Sequence, residues 1–152
     1  MRLADENDRD AVMELQRAAY ARNRELLGLE PLPLLAPVAE IFEDYEVWLL
    51  EYDDQLLGVL ILEPRADDML IWSIATAPQA QGRGLGALML KTAELRARQF
   101  GHKAMALYTS SALEDLIGWY KRQGYAVSRI EQISDRELTH MSKSLDQNQE
   151  PQ

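Results

Sequence analysis

Ile74-Ala75-Thr76-Ala77-Pro78-Gln79-Ala80-Gln81-Gly82-Arg83-Gly84-Leu85-Gly86-Ala87 is the stretch on which the fold turns. It joins an apolar run, Met69 to Thr76, to a segment of helical periodicity running from Gly84 to Phe100. Strand spacing thus gives way to helix spacing across three glycines at alternate positions. Glycine allows positive φ and lets a ligand approach the backbone closely. The free N–H groups and dipole of a helix N-terminus favour an anion there. Arg83 could add a charge-assisted contact at the mouth. The residues also allow a blander reading, a turn that serves only strand-to-helix geometry.

Two nucleotide-binding patterns can be compared with this turn. No GK[ST] follows the glycines, so the Walker pattern fails. Gly82, Gly84 and Ala87 fit GxGxxA, the dinucleotide fingerprint. That fingerprint requires an acidic residue at the end of the next strand to hold the ribose. This chain has Met105-Ala106-Leu107-Tyr108-Thr109-Ser110 there.

Working outward, Val12, Leu15, Ala18 and Ala19 predict one helix from Asp8 to about Arg24, capped by Asp8. Gly28, Pro31, Pro33 and Pro37 predict a loop over 28–37, followed by a short helix from Val38 to Phe42. Two apolar runs around Asp53-Asp54 predict a hairpin, 47–52 with 55–63. In the helix ending at Gly101, Leu85, Leu88, Met89, Thr92 and Leu95 form the expected buried face. A strand over 103–108, a helix over 113–123 and strands over 125–130 and 139–143 complete the order. Such an order predicts a single α/β (α+β) domain over 1–143 with about four helices and a polar tail over 144–152. Its sheet should be mixed and mostly antiparallel, and a helical crossover makes the third and fourth strands parallel.

Composition sets the outer limits. Apolar residues make up 47% and charged residues 27% of the 152, as in ordinary folded domains. No apolar run is long enough to cross a membrane and the N-terminus lacks a signal-peptide core, so cytoplasmic residence and no membrane partner are expected. The chain has no cysteine, and its two histidines, His102 and His140, lie far apart, so no metal is expected. A net charge of −9 argues against nucleic acid as a partner, because phosphate binding needs Lys and Arg. It suits a cationic or amine substrate, and solubility explains it equally well.

The 74–87 stretch resembles the central motif of the GCN5-related N-acetyltransferases, (Q/R)-x-x-G-x-(G/A) after an L/I-x-V-x-P strand end. Gln81, Gly84 and Gly86 fill the signature, and Thr76 stands where valine is usual. Trp119-Tyr120-Lys121-Arg122-Gln123-Gly124-Tyr125 resembles the family's (F/L)-Y-x-(K/R)-x-G-(F/Y) segment. The resemblance implies a splayed parallel strand pair with a bulge, and acetyl-CoA as co-substrate. It implies that Ile74, Ala75 and Thr76 contact the acetyl and pantetheine groups, and that Gln81, Gly82, Arg83, Gly84, Leu85, Gly86 and Ala87 hold the pyrophosphate. It further implies that Tyr120 protonates the leaving thiolate. Many relatives carry an asparagine before the last helix; the run Thr109 to Leu116 has none, which removes that contact to the pantetheine arm.

Candidates for a general base, by location, are Glu63, Glu43, Asp44 and Tyr45, and Ser73 could order a water. The leading expectation is an N-acetyltransferase acting on a small-molecule amine. The alternatives are a protein N-terminal or lysine acetyltransferase and a non-catalytic CoA-binding regulatory protein. Leu32, Leu34 and Leu35 read equally as a pocket lid or as plain packing. The resemblance leaves a homodimer open, with the last two strands as the place of exchange.

Overall fold

A computed structural model describes residues 1–28, 33 and 37–145. The expected lid leucines, Leu32, Leu34 and Leu35, and residues 146–152 lie outside the described residues. The described strands are β1 (Arg2–Leu3), β2 (Glu46–Tyr52), β3 (Gln55–Pro64), β4 (Asp68–Thr76), β5 (Ala104–Ser110), β6 (Ala126–Ile133) and β7 (Arg136–Ser144). The α-helices are α1 (Arg9–Ala19), α2 (Ala21–Leu27), α3 (Val38–Asp44), α4 (Leu85–Gln99) and α5 (Glu114–Arg122). The strands form one sheet in the order β1-β2-β3-β4-β5-β7-β6. Only β4 and β5 pair in parallel among the described strands; the other neighbours are antiparallel. The mixed sheet with one parallel pair is therefore as the sequence predicts.

Local chemistry explains most of these elements. Asp53 and Asp54 both take positive φ, 56° and 63°, which gives the two-residue turn the twist a hairpin needs. His102 N–H reaches Ala97 O at 2.9 Å around Gly101, at φ 78°, closing α4 on its glycine. Alternate residues of β3 split between two cores. Leu60 and Leu62 face α4 and α5, while Val59 and Ile61 face α1 and α3. Gly58 lets α4 come close, since a Cβ there would lie 2.8 Å from Met89 Sδ.

Three local expectations need correction. The first helix is not continuous: it breaks at Tyr20 (φ −93°, ψ 2°) into α1 and α2. Asp8 does not cap it. Asp5 accepts from Asn7 N–H, and Asp8 accepts from Asp5 N–H in a reciprocal box on the preceding turn, both at 2.8 Å. The buried face of α4 is also different, made of Met89, Leu90, Ala93, Glu94 and Ala97, with Leu88 and Leu95 exposed. Small alanines let the helix lie close to the sheet, and two leucines are left outside.

Glu46 fixes α4 against β2. It accepts from Arg96 Nε at 3.0 Å and Nη2 at 2.8 Å, and from Trp48 Nε1 at 3.0 Å. Burial pushes the Glu46 carboxyl up, but hydrogen bonds from Arg96 and Trp48 outweigh it and hold it below its ordinary 4.5. A lowered folded pKa gives stability that is full above the unfolded value and lost as pH falls through the folded one. Glu46→Gln should therefore cost about 1 kcal/mol at pH 7, or a few degrees of Tm. In thermal unfolding followed by circular dichroism, the gap to the natural chain should narrow steadily once the pH drops below 4.5.

Candidate functional site

β4 and β5 start together and then part. Their pairing runs from Asp68↔Ala104 to Ile71↔Leu107 and goes no further, although both strands continue. β4 stays on β3 as far as Thr76↔Gly58, and β5 stays on β7 as far as Ser110↔Leu138. The facing edges of Trp72–Thr76 and Tyr108–Ser110 thus lack a strand between them. Backbone N–H and C=O groups left in this way are costly to bury without a partner.

The parting coincides with a bulge. Ile61 pairs with Ser73 and Leu62 with Ile71, so Trp72 is an extra residue on β4. It resets the alternation: Ile71 packs with the α4 core, whereas Trp72 joins the α1 core and Ser73 pairs with Ile61 of that core. Ser73 consequently points towards α1. Its Oγ donates to Gln16 Oε1 at 3.1 Å, and Tyr20 Oη lies 2.8 Å from the same Oγ. Gln16 is fully buried, with no partner for Nε2 among the described residues. Burial pushes the Tyr20 phenol up to about 12, against the opposing hydrogen bond to Ser73.

The gap opens into a cleft of about 1040 Å³ that contains Ile74, Ala75, Thr76, Gln81, Gly86 and Tyr120 together. A second depression of about 230 Å³ adjoins it, lined by Gly82, Gly84, Leu85, Gly86 and Ala87. Gly82 and Gly84 have φ of 82° and 77°, and a Cβ on either would meet nothing within 4 Å. Their role is thus conformation and access, not packing. The first amides of α4 have no carbonyl of their own helix to bind, and they lie beside this turn. Gln81 is exposed at the rim of both hollows, its Nε2 donating to Thr76 O at 3.3 Å. Arg83 lines neither hollow; it is exposed and donates to Gln79 O at 3.3 Å.

On the far wall, α5 presents Tyr120, whose ring makes edge contacts with Trp119 and Tyr125 at 5.0 and 5.8 Å. Burial, then the nearby Tyr20, pushes the Tyr120 phenol well above its ordinary 10. Nothing among the described residues hydrogen-bonds to its hydroxyl.

The acid–base candidates do not gather here. Glu63 is the last residue but one of β3, Glu43 and Asp44 are exposed on α3, and the Tyr45 ring lies tilted 5.3 Å from Trp72; none lines the cleft. Ser73 does line it. Tyr20 and Gln16 carry no signal in the sequence, because they sit in what reads as one uninterrupted helix.

A model of the Acetyltransferase (GNAT) family matches residues 9–125. Probable N-acetyltransferase 14 of Xenopus tropicalis is 29% identical over 112 residues, covering 68% of this chain and 54% of that protein. The chain spans about half the length of the curated relatives it matches. Among solved structures, the ribosomal-protein-S18-alanine N-acetyltransferase from Escherichia coli superposes with a TM-score of 0.77 at 14% identity, over 99% of this chain and 96% of that one. The PaiA N-acetyltransferase from Thermoplasma acidophilum, solved with coenzyme A, gives 0.75 at 16% identity, over 94% and 96%. At such identities the structural likeness shows the fold. With the matching family model, the splayed strands and the glycine turn between β4 and α4, the chain belongs to the GNAT acetyltransferase family.

Proposed function

We propose that this chain is an acetyl-CoA-dependent N-acetyltransferase that transfers the acetyl group directly to a primary amine of a small molecule. The observation that carries the reading is the parting of β4 from β5 after Ile71, opposite Tyr120 and continuous with the glycine turn. The residues fit the co-substrate. Open space where a Cβ would stand at Gly82 and Gly84 suits a diphosphate lying on the backbone, and the α4 amides can donate to it. The unpaired edge of β4 suits the amides of the pantetheine arm.

In the transfer, Ile74 and Thr76 backbone groups would hold the thioester and stabilise negative charge as it develops on the carbonyl oxygen. Tyr120 would donate its phenolic proton to the sulfur as the C–S bond breaks. The attacking nitrogen must arrive neutral and sheds its second proton to water. The family fold serves protein acceptors as well, as in the S18-alanine enzyme. The cleft walls of α1, α2 and α5 around a hollow of about 1040 Å³ favour a compact acceptor.

The test is thiol release from acetyl-CoA with tyramine, spermidine, alaninamide and Nα-acetyl-lysine as acceptors. Release with at least one, following saturation kinetics, is expected; four blanks would sink the activity. Gly84→Glu places a carboxylate where the diphosphate would lie. It should abolish CoA binding in calorimetry, with a Tm loss of only a few degrees from a non-glycine φ near 77°. Tyr120→Phe should lower kcat about 100-fold while leaving the CoA Kd unchanged. Because burial holds the Tyr120 phenol above 10, kcat/KM should rise with pH as the amine loses its proton, with no falling limb below pH 10.

A further inference from the structure

The cleft joins the two faces of the sheet. Tyr120 belongs to the core under α4 and α5, whereas Tyr20 belongs to the core under α1 and α3. Both tyrosines line the opening left where β4 and β5 have separated. One phenol is placed for the departing sulfur by the reading above. The second has no task in it.

Tyr20 is held by a polar chain that is poorly explained as packing. Its Oη is 2.8 Å from Ser73 Oγ, which donates to Gln16 Oε1 at 3.1 Å. With the Ser73 proton committed to Gln16, Tyr20 must donate its own to Ser73. A lone pair of the Tyr20 oxygen then remains as an acceptor beside the cleft. The far end of the chain is unsatisfied: Gln16 is fully buried and its Nε2 finds no partner among the described residues. A buried donor left without a partner costs the fold stability. A methionine of similar shape would avoid that orphan, at the loss of the Ser73 acceptor.

We propose that the Tyr20 hydroxyl, oriented by Ser73 and Gln16, binds the attacking amine of the acceptor by accepting one of its N–H bonds. The proposal rests on the acetyltransferase reading. It specifies how the nitrogen is held: by an uncharged oxygen, not by a carboxylate. The carboxylates that line the cleft among the described residues, Glu114 and Asp115, are exposed on the first turn of α5. A buried carboxylate would stabilise the ammonium and keep it unreactive. A phenol oxygen accepts from the neutral amine and leaves the nitrogen lone pair free to attack. Tyr20 can take this place because it follows Gln16 by one helical turn, on the same face of α1, and because the Trp72 bulge turns Ser73 to that face.

The experiment uses the full chain with the same four amines, measuring KM for amine and for acetyl-CoA separately, CoA Kd and Tm. Tyr20→Phe should lower kcat/KM for the best amine at least 10-fold, mainly through KM for the amine. Acetyl-CoA KM and CoA Kd should stay within twofold. Gln16→Met should lower amine kcat/KM several-fold while leaving acetyl-CoA KM and CoA Kd within twofold, whereas a glutamine that only supports the fold would, when lost, lower both alike. Ser73→Ala should fall between the two and gives the answer if Tyr20→Phe does not fold. Tyr20→Phe with amine kcat/KM within twofold of the natural chain would overturn the proposal, as would equal losses for amine and acetyl-CoA. No thiol release from the natural chain with any amine would instead overturn the acetyltransferase reading, and this proposal with it.

Discussion

A backbone amide that leaves its strand partner must find another or cost the fold free energy. β4 accepts that constraint after Ile71, where β5 departs, and much of the molecule is arranged around the gap. The strand cannot simply fray, because its other edge stays paired with β3 as far as Thr76. Nor can β5 follow it, since β7 holds β5 out to Ser110. Two strands are each anchored on one side and open on the other. Their open edges form the walls of the cleft, and the glycine turn that follows β4 closes one end of it.

Such a gap persists only if the elements around it are held firmly. α4 begins at the glycine turn, so its position decides where the free amides lie. The helix is fixed by close packing through Ala93 and Ala97 and by Met89 above Gly58. It is fixed laterally by the Arg96 fork on Glu46, with the guanidinium stacked 4.7 Å from the Phe100 ring. At its other side Glu94 is 9% exposed and accepts from Tyr125 Oη at 2.9 Å and Lys143 Nζ at 3.2 Å. A buried carboxylate with two such donors ties α4 to the loop after α5 and to β7. Tyr120 lies on α5, just before that loop. The stability of α4 and the position of Tyr120 are therefore linked through one carboxylate.

The turn from Gln81 to Ala87 was legible because its chemistry is local. Glycines at alternate positions, a strand before and a helix after, depend on nothing distant. The hairpin at Asp53-Asp54 and the glycine end of α4 were readable for the same reason. Other features depend on partners that a linear pattern does not name. The α4 face was misread because leucines outweigh alanines in any hydrophobic count, while close packing against the sheet selects the alanines. The bulge at Trp72 exists only relative to the register of β3, so a period of two along β4 could not reveal it. Tyr20 and Ala21 are not helix breakers, so no residue in the pattern marks the break between α1 and α2.

These unread features are not independent of one another. Without the bulge, Ser73 would point into the α4 core as a buried hydroxyl, and Gln16 would have no partner at all. Tyr20 follows Gln16 by four residues, its N–H still bonding Gln16 O at 3.0 Å, so one face of the helix end brings both side chains to Ser73. Each irregularity costs something locally: an unpaired residue on β4, an interrupted helix, a buried amide with an orphaned nitrogen. All three costs fall on one line of three side chains that ends at the cleft. Unsatisfied and irregular groups at the edge of an opening are a feature that binding sites share. On the proposed reading, the amine side of the cleft is therefore written in the tertiary structure, and the donor side in the sequence.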